Sequence, residues 1–298
     1  MGRAHHHNAV LVGTAHPTGS APSPQTIWRE TSVTFDRFLQ QIAPLQGLAW
    51  RKYRRRSARH RVEARIRELG LHGFEAYFDH LRYHPEERPG LADLMRVTVT
   101  RFFREREQWR TLAETVLPAV IAGKPEAEAF RAWSAGCCGG EEPYTLAMVW
   151  LESIAPLHPG RALDLIATDI DQASLERAAA ARYESSSLHE VPPDSRARFF
   201  TRENRLWSVA GEVKGVVRLE RRNLMSDPLP LGMDLVLCRY LAFTYYRGER
   251  LLAATLRLRE ALRPGGVLMV GRKEQLSAPA SAFFERWPGC DGFYRRKG

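Results

Sequence analysis

Between positions 35 and 95 the apolar residues recur at helical spacing. Phe35, Phe38, Leu39, Ile42 and Ala43 form one stripe, and Val62, Ile66 and Leu69 form a second that stops at Gly70. Phe74, Tyr77, Phe78 and Leu81 make a third stripe, ending near His84-Pro85, and Leu91, Leu94 and Met95 open a fourth. After Gly123-Lys124-Pro125 the texture changes. Short apolar runs at 130–135, 162–168, 216–219, 235–238 and 267–270 predict strands, and 144–154, 172–181 and 249–262 predict helices. Such alternation implies an α/β unit with a parallel, doubly wound sheet, whose ligands bind at the carboxyl ends of the strands. One stretch interrupts it: RFFTRENRLWSVAGEVKGVVRL (198–219) holds two short β-type runs around Ala210-Gly211-Glu212, which predicts an inserted hairpin. The organisation expected is a tail over 1–30, a helical unit over 31–122 and an α/β domain over 123–298, with the hairpin at 198–220.

The first predicted crossover, FRAWSAGCCGGEEPYTLAM (130–148), runs from an apolar strand through a glycine-rich turn into a helix. Gly136, Gly139 and Gly140 remove the Cβ atoms that would keep a ligand off the backbone. Pro143 suits a first helical turn, where its missing N–H costs nothing. Glu141 and Glu142 argue against a phosphate, since a phosphate cradle avoids neighbouring negative charge. They favour a ligand with a positive group or free hydroxyls, such as the sulfonium cofactor S-adenosylmethionine. Asp169 ends the second predicted strand, where an acid hydrogen-bonds ribose hydroxyls; the competing role is a helix N-cap, which Asp171 could equally supply. Asn223-Leu224 and Arg239-Tyr240 follow the third and fourth strands and so fall on the same edge.

Composition narrows the setting. The 298 residues leave room for one large domain and a smaller one, and no apolar run approaches the length of a membrane span. Four cysteines, two of them adjacent, make neither a disulfide framework nor a zinc site, so no metal is expected and a reduced, cytoplasmic protein fits. The net charge of +10 is concentrated: 51–67 carries nine basic side chains, Arg55 and Arg59 among them, against the single acid Glu63. That density repels itself and draws an acidic partner. Only Tyr53 interleaves the run, which counts against nucleic acid as that partner.

Taken together these residues resemble the CheR-type chemotaxis methyltransferases, which methylate receptor glutamates with S-adenosylmethionine. The resemblance rests on VTRFFRERE (99–107), WSAGCCGGEEPYTLAM (133–148), ATDID (167–171), ERAAAARY (176–183), NL (223–224), MDLVLCR (233–239) and LRPGGVLMVG (262–271). It implies a Rossmann-like methyltransferase domain with a small helical N-terminal domain and an inserted β-subdomain. It also implies cofactor contacts at Thr98, Thr100, Arg104, Gly136, Glu142, Asp169, Asn223, Leu224, Arg239 and Tyr240. The acceptor it implies is an acidic protein, a chemoreceptor or other signalling protein, with Arg55 and Arg59 steering it.

Where the family reads C-R-N-V-x-I-Y-F after the fourth strand, this chain reads CRYLAFTYY (238–246). Tyr240 replaces the asparagine, and Thr244 takes the slot of the tyrosine near the transferred methyl. Tyr245 serves there only with a one-residue shift. Arg104, Tyr240 and Tyr245 are therefore the candidates beside the reacting centre. A glutamate acceptor is already ionised at neutral pH and needs no general base. An amine or hydroxyl acceptor would have to lose a proton. His158 and His189, the histidines of the α/β part, both miss the predicted strand ends. The competing readings are a methyltransferase of nucleic acid or small molecules, and a cofactor-binding scaffold without turnover.

Overall fold

The computed structural model describes residues 1–2, 33–53, 56–95 and 100–298. Helices α1 (Phe35–Gln46), α2 (Arg56–Glu68), α3 (Gly73–Tyr83) and α4 (Arg88–Leu94) follow the four apolar stripes. Thr34 caps α1 by accepting from the Arg37 N–H, and Gly47, at φ +59°, ends it in the left-handed conformation that favours glycine. The stripes converge on one core, in which the rings of Phe35, Phe38, Phe74 and Tyr77 pack 5.4–6.3 Å apart. The basic helix α2 buries only Ala58, Val62 and Ile66. Several of its arginines are spoken for: Arg65 forks onto Glu87 at 2.8 and 2.9 Å, Arg59 pairs with Glu63, and Arg61 donates to the Leu94 carbonyl.

Helices α5 (Arg106–Thr111) and α6 (Leu117–Ala122) lead into ten strands. These are β1 (Phe130–Ala135), β2 (Leu163–Asp169), β3 (Arg182–Glu184), β4 (Phe200–Glu203), β5 (Leu206–Val209), β6 (Val217–Arg221), β7 (Met233–Leu237), β8 (Leu262–Met269), β9 (Phe284–Arg286) and β10 (Phe293–Arg296). Seven form one sheet in the order β6-β2-β1-β7-β8-β10-β9. The first five are mutually parallel, and β10 runs antiparallel to β8 and β9. The central strands β1 and β7 are almost wholly buried, whereas the edge strand β6 is not, as helices α7 (Glu141–Val149), α8 (Gln172–Ala180) and α12 (Gly248–Ala261) pack against the sheet. The chain moves outward from β1 through β2 to β6 and then returns to place β7 on the other side of β1. That reversal makes the β1/β7 boundary the switch point at which such sheets open a crevice.

Two features depart from the sequence expectation. The hairpin turn is not at Ala210-Gly211-Glu212 but between β4 and β5, where Asn204 takes φ +57°, a conformation asparagine tolerates better than most residues. Residues Gly211–Lys214 form a short helix, α10, and β6 joins the main sheet. The hairpin instead recruits β3 into a separate three-stranded sheet, β3-β5-β4. The C-terminal pair β9 and β10, absent from the strand expectations, covers the β8 edge.

The helical part is fastened to the sheet beside the switch point. The Ala49 N–H donates to the Tyr245 carbonyl at 2.8 Å, and the Arg247 N–H donates to the Gly47 carbonyl at 2.8 Å. These bonds hold the end of α1 against the short helix α11 (Ala242–Tyr245) that follows β7.

Candidate active site

A cavity of about 570 Å³ opens at this seam. Its sheet-side wall comes from four strand ends: Gly136 after β1, Asp169 at the end of β2, Asn223 and Leu224 after β6, and Tyr240 after β7. The helical part closes it with Leu45, Leu48, Tyr53 and Arg88.

The glycine turn has the shape its composition predicts. Gly136 and Gly140 have φ +81° and +91°, and a Cβ on Gly136 would stand 2.7 Å from Leu241 Cδ2. A side chain there would fill the space between the turn and the β7 loop. Asp169 braces the same turn, its Oδ2 accepting from the Cys138 N–H and its Oδ1 from the Asp171 N–H, both at 2.9 Å. The N-cap of α8 is Asp171, which accepts from the Ser174 N–H at 3.0 Å, so Asp169 does not carry that duty. Asn223 Oδ1 accepts from the Met225 N–H and shapes the loop after β6.

Tyr240 is the hub of the β7 end. It sits at φ +56°, its N–H donates to Glu274 Oε2 at 2.7 Å and its hydroxyl donates to Glu105 Oε1. Its ring lies 3.7 Å below the Arg104 guanidinium. Burial, reinforced by the Glu105 carboxylate, pushes its phenol up to about 12. Glu105 is itself at φ +64°. Burial opposes its charge, but the Arg272 N–H, the Tyr240 hydroxyl and Arg239 outweigh burial and hold its carboxyl below the usual range. Arg239, almost wholly buried, donates to the Arg104 carbonyl at 2.7 Å, to Glu105 at 3.0 Å and to Glu142 at 3.4 Å. Glu142 also accepts from Ser134 Oγ at 2.8 Å, and burial pushes its carboxyl up.

The candidates thus divide. Gly136, Asp169, Asn223, Leu224, Tyr240 and Tyr245 share the cavity wall, whereas Arg104, Glu142 and Arg239 form a charged cluster joined to that wall through Tyr240. Thr100 is off the wall. Arg59 lines a separate depression with Thr34 and Asp36, away from the cavity. Thr98 and Arg55 lie outside the described residues. Thr244 turns from the cavity and donates to Glu274 Oε1 at 2.5 Å, while Tyr245 lines the cavity in its place and packs on Tyr53 with ring centres 5.0 Å apart.

Sequence reasoning missed Glu105, Glu274, Tyr53, Tyr246 and Arg250. Glu105 lies within VTRFFRERE and Tyr246 within CRYLAFTYY, so position in a motif was available as a signal. For Glu274 and Arg250, nothing local distinguished them from other charged residues.

Two family models match the chain: "CheR methyltransferase, all-alpha domain" over residues 34–95 and "CheR methyltransferase, SAM binding domain" over residues 98–288. A chemotaxis protein methyltransferase of Listeria monocytogenes is 31% identical over 78% of this chain and 87% of its own length. Chemotaxis protein methyltransferase 2 of Vibrio cholerae is 30% identical over 89% and 93%. Among solved structures, an amino pentose methyltransferase of Micromonospora echinaspora with S-adenosylmethionine bound aligns over 61% of each chain at 19% identity with a TM-score of 0.32.

Proposed function

The chain belongs to the CheR methyltransferase family and is an S-adenosylmethionine-dependent methyltransferase, and from that premise we propose that it forms methyl esters on glutamate side chains of a chemoreceptor. The observation that carries this reading is the convergence of four strand ends on one cavity at the switch point of the sheet. The residues fit the cofactor. The left-handed glycine turn gives backbone access, Asp169 lines the cavity at the end of β2 where an acid meets ribose hydroxyls, and Asn223-Leu224 lie on the base side. Glu142, with Arg104 and Arg239, serves the amino-acid end.

Bound there, S-adenosylmethionine supplies an electrophilic methyl carbon with a neutral thioether as its leaving group. A glutamate acceptor would bring its attacking oxygen already ionised, and the bond to sulfur would break as the bond to oxygen formed, so no residue of this chain has to take a proton. What remains for the protein is alignment and exclusion of water. Tyr240 and the arginine stacked on it provide a fixed boundary at the β7 end, and Tyr53 and Tyr245 line the acceptor's approach. Among the described residues no helix is long and apolar enough to cross a membrane, and a cytoplasmic location is part of this reading.

The test is transfer of labelled methyl to a purified cytoplasmic chemoreceptor fragment. Label that is lost in mild alkali supports an ester. Cofactor binding without transfer, or an alkali-stable product, overturns the proposal and returns the scaffold or nucleic-acid readings.

A further inference from the structure

Three arginines of the described residues line the cavity, and they are not alike. Arg88 donates to the carbonyls of Leu81 and Arg82. Arg222 is engaged by Glu220 and the Pro228 carbonyl. Arg250, near the start of α12, has no carboxylate or carbonyl partner among the described residues; its Nε, like that of Arg222, is buried without a hydrogen bond. Its guanidinium lies 4.7 Å from the centre of the Tyr246 ring, a stacking that leaves the N–H edge open. Tyr53 is close enough for Arg250 to oppose, in part, the upward push that burial gives the Tyr53 phenol. Tyr245 packs on Tyr53 with the rings tilted at 42°. Among the described residues, one cation without a carboxylate partner thus sits beside three phenol rings at the seam.

A half-buried guanidinium with no anion on it among the described residues suits a carboxylate, whose oxygen accepts from its N–H groups in a charge-assisted hydrogen bond. We propose that Arg250, with Tyr53 and Tyr245 beside it, is a carboxylate subsite that receives the acceptor's glutamate. This rests on the proposed glutamate acceptor and adds the residue that would select it. Held by one oxygen, the carboxylate keeps the other for the methyl carbon. Methylation removes its charge, so the ester loses the ion pair and is released, and glutamine offers the guanidinium no charge from the start.

The experiment uses the full chain and two forms of a chemoreceptor fragment, one with glutamate and one with glutamine at the methylated positions. Arg250→Met keeps most of the side-chain length and removes the charge, and Arg250→Lys keeps the charge alone. With labelled cofactor, Arg250→Met is expected to raise KM for the glutamate fragment by about tenfold or more, the loss typical of a charge-assisted hydrogen bond. Arg250→Lys should fall between it and wild type. Affinity for S-adenosylhomocysteine, measured by calorimetry, should change less than about twofold, well under that loss. An unchanged KM overturns the subsite, and so does a matching loss of S-adenosylhomocysteine affinity, which would assign Arg250 to the cofactor. A second measurement is independent of turnover. Protein saturated with S-adenosylhomocysteine should bind the glutamate fragment more tightly than the glutamine one, and Arg250→Met should erase the difference. Equal binding by wild type sinks the subsite even if methyl transfer succeeds. Preference without transfer supports the subsite while the methyltransfer reading fails.

Discussion

Glu274 is buried and accepts three hydrogen bonds, from the N–H groups of Tyr240 and Gly271 and from the Thr244 hydroxyl. It therefore fixes both departures of this chain from its family: the left-handed Tyr240 and the turned-away Thr244. Glu274→Ala strands two buried N–H groups, at about 1–3 kcal/mol each. Activity is expected to fall at least tenfold while Glu274→Gln, whose amide oxygen still accepts, keeps most of it; assays of both variants beside circular-dichroism melts check this. Burial raises the Glu274 carboxyl above its ordinary value, against the opposing hydrogen bonds. The stability tied to that shift is full below the unfolded pKa and is lost as pH rises through the raised one. Wild type should accordingly gain melting temperature over Glu274→Gln as pH falls through that window, and a constant difference would contradict it. The residue's importance was invisible in the sequence, because two of its three partners lie 30 and 34 positions away.

At the scale of elements, the β1–α7 turn is the part most fully written in local sequence. Glycine at 136 is required twice: by φ +81°, and by the 2.7 Å that would separate a Cβ from Leu241. Gly136→Ala pays a left-handed penalty of about 1–2 kcal/mol, and relieving the overlap must move the β7 loop. We expect cofactor affinity to weaken roughly tenfold or more, about 1.4 kcal/mol or above, with a lower melting temperature. Gly160→Ala, which meets nothing within 4 Å, is the control and should leave both unchanged. The hairpin shows where local reading fails. Ala210-Gly211-Glu212 carries a glycine that signals a turn, yet the chain turns at Asn204-Arg205, because pairing of β5 with β4 and β3 buries Phe200 and Val209.

For the whole molecule, the net charge of +10 and the exposed bases of α2 bear, on the proposed reading, on the approach of an acidic acceptor and not on the chemistry. Raising salt from about 0.05 to about 0.3 M shortens the screening length from roughly 14 to roughly 6 Å, which screens an exposed face while leaving buried pairs in contact largely unaffected. KM for an acidic chemoreceptor fragment should rise several-fold over that range while S-adenosylhomocysteine affinity stays nearly flat; a flat KM would remove the basic face from recognition. By itself the sequence determined the helical stripes, the strand–helix alternation, the glycine turn and the place of Asp169 after β2. Each of these is specified within a few residues, by side-chain periodicity or by a φ that only glycine reaches easily. The tertiary structure alone decided that Tyr240 reaches Glu105 across 135 positions, that Thr244 faces Glu274, and that of three cavity arginines only Arg250 has no carboxylate or carbonyl partner among the described residues. Those pairings arise where distant segments pack together, and no local pattern encodes which charge will find its counter-charge.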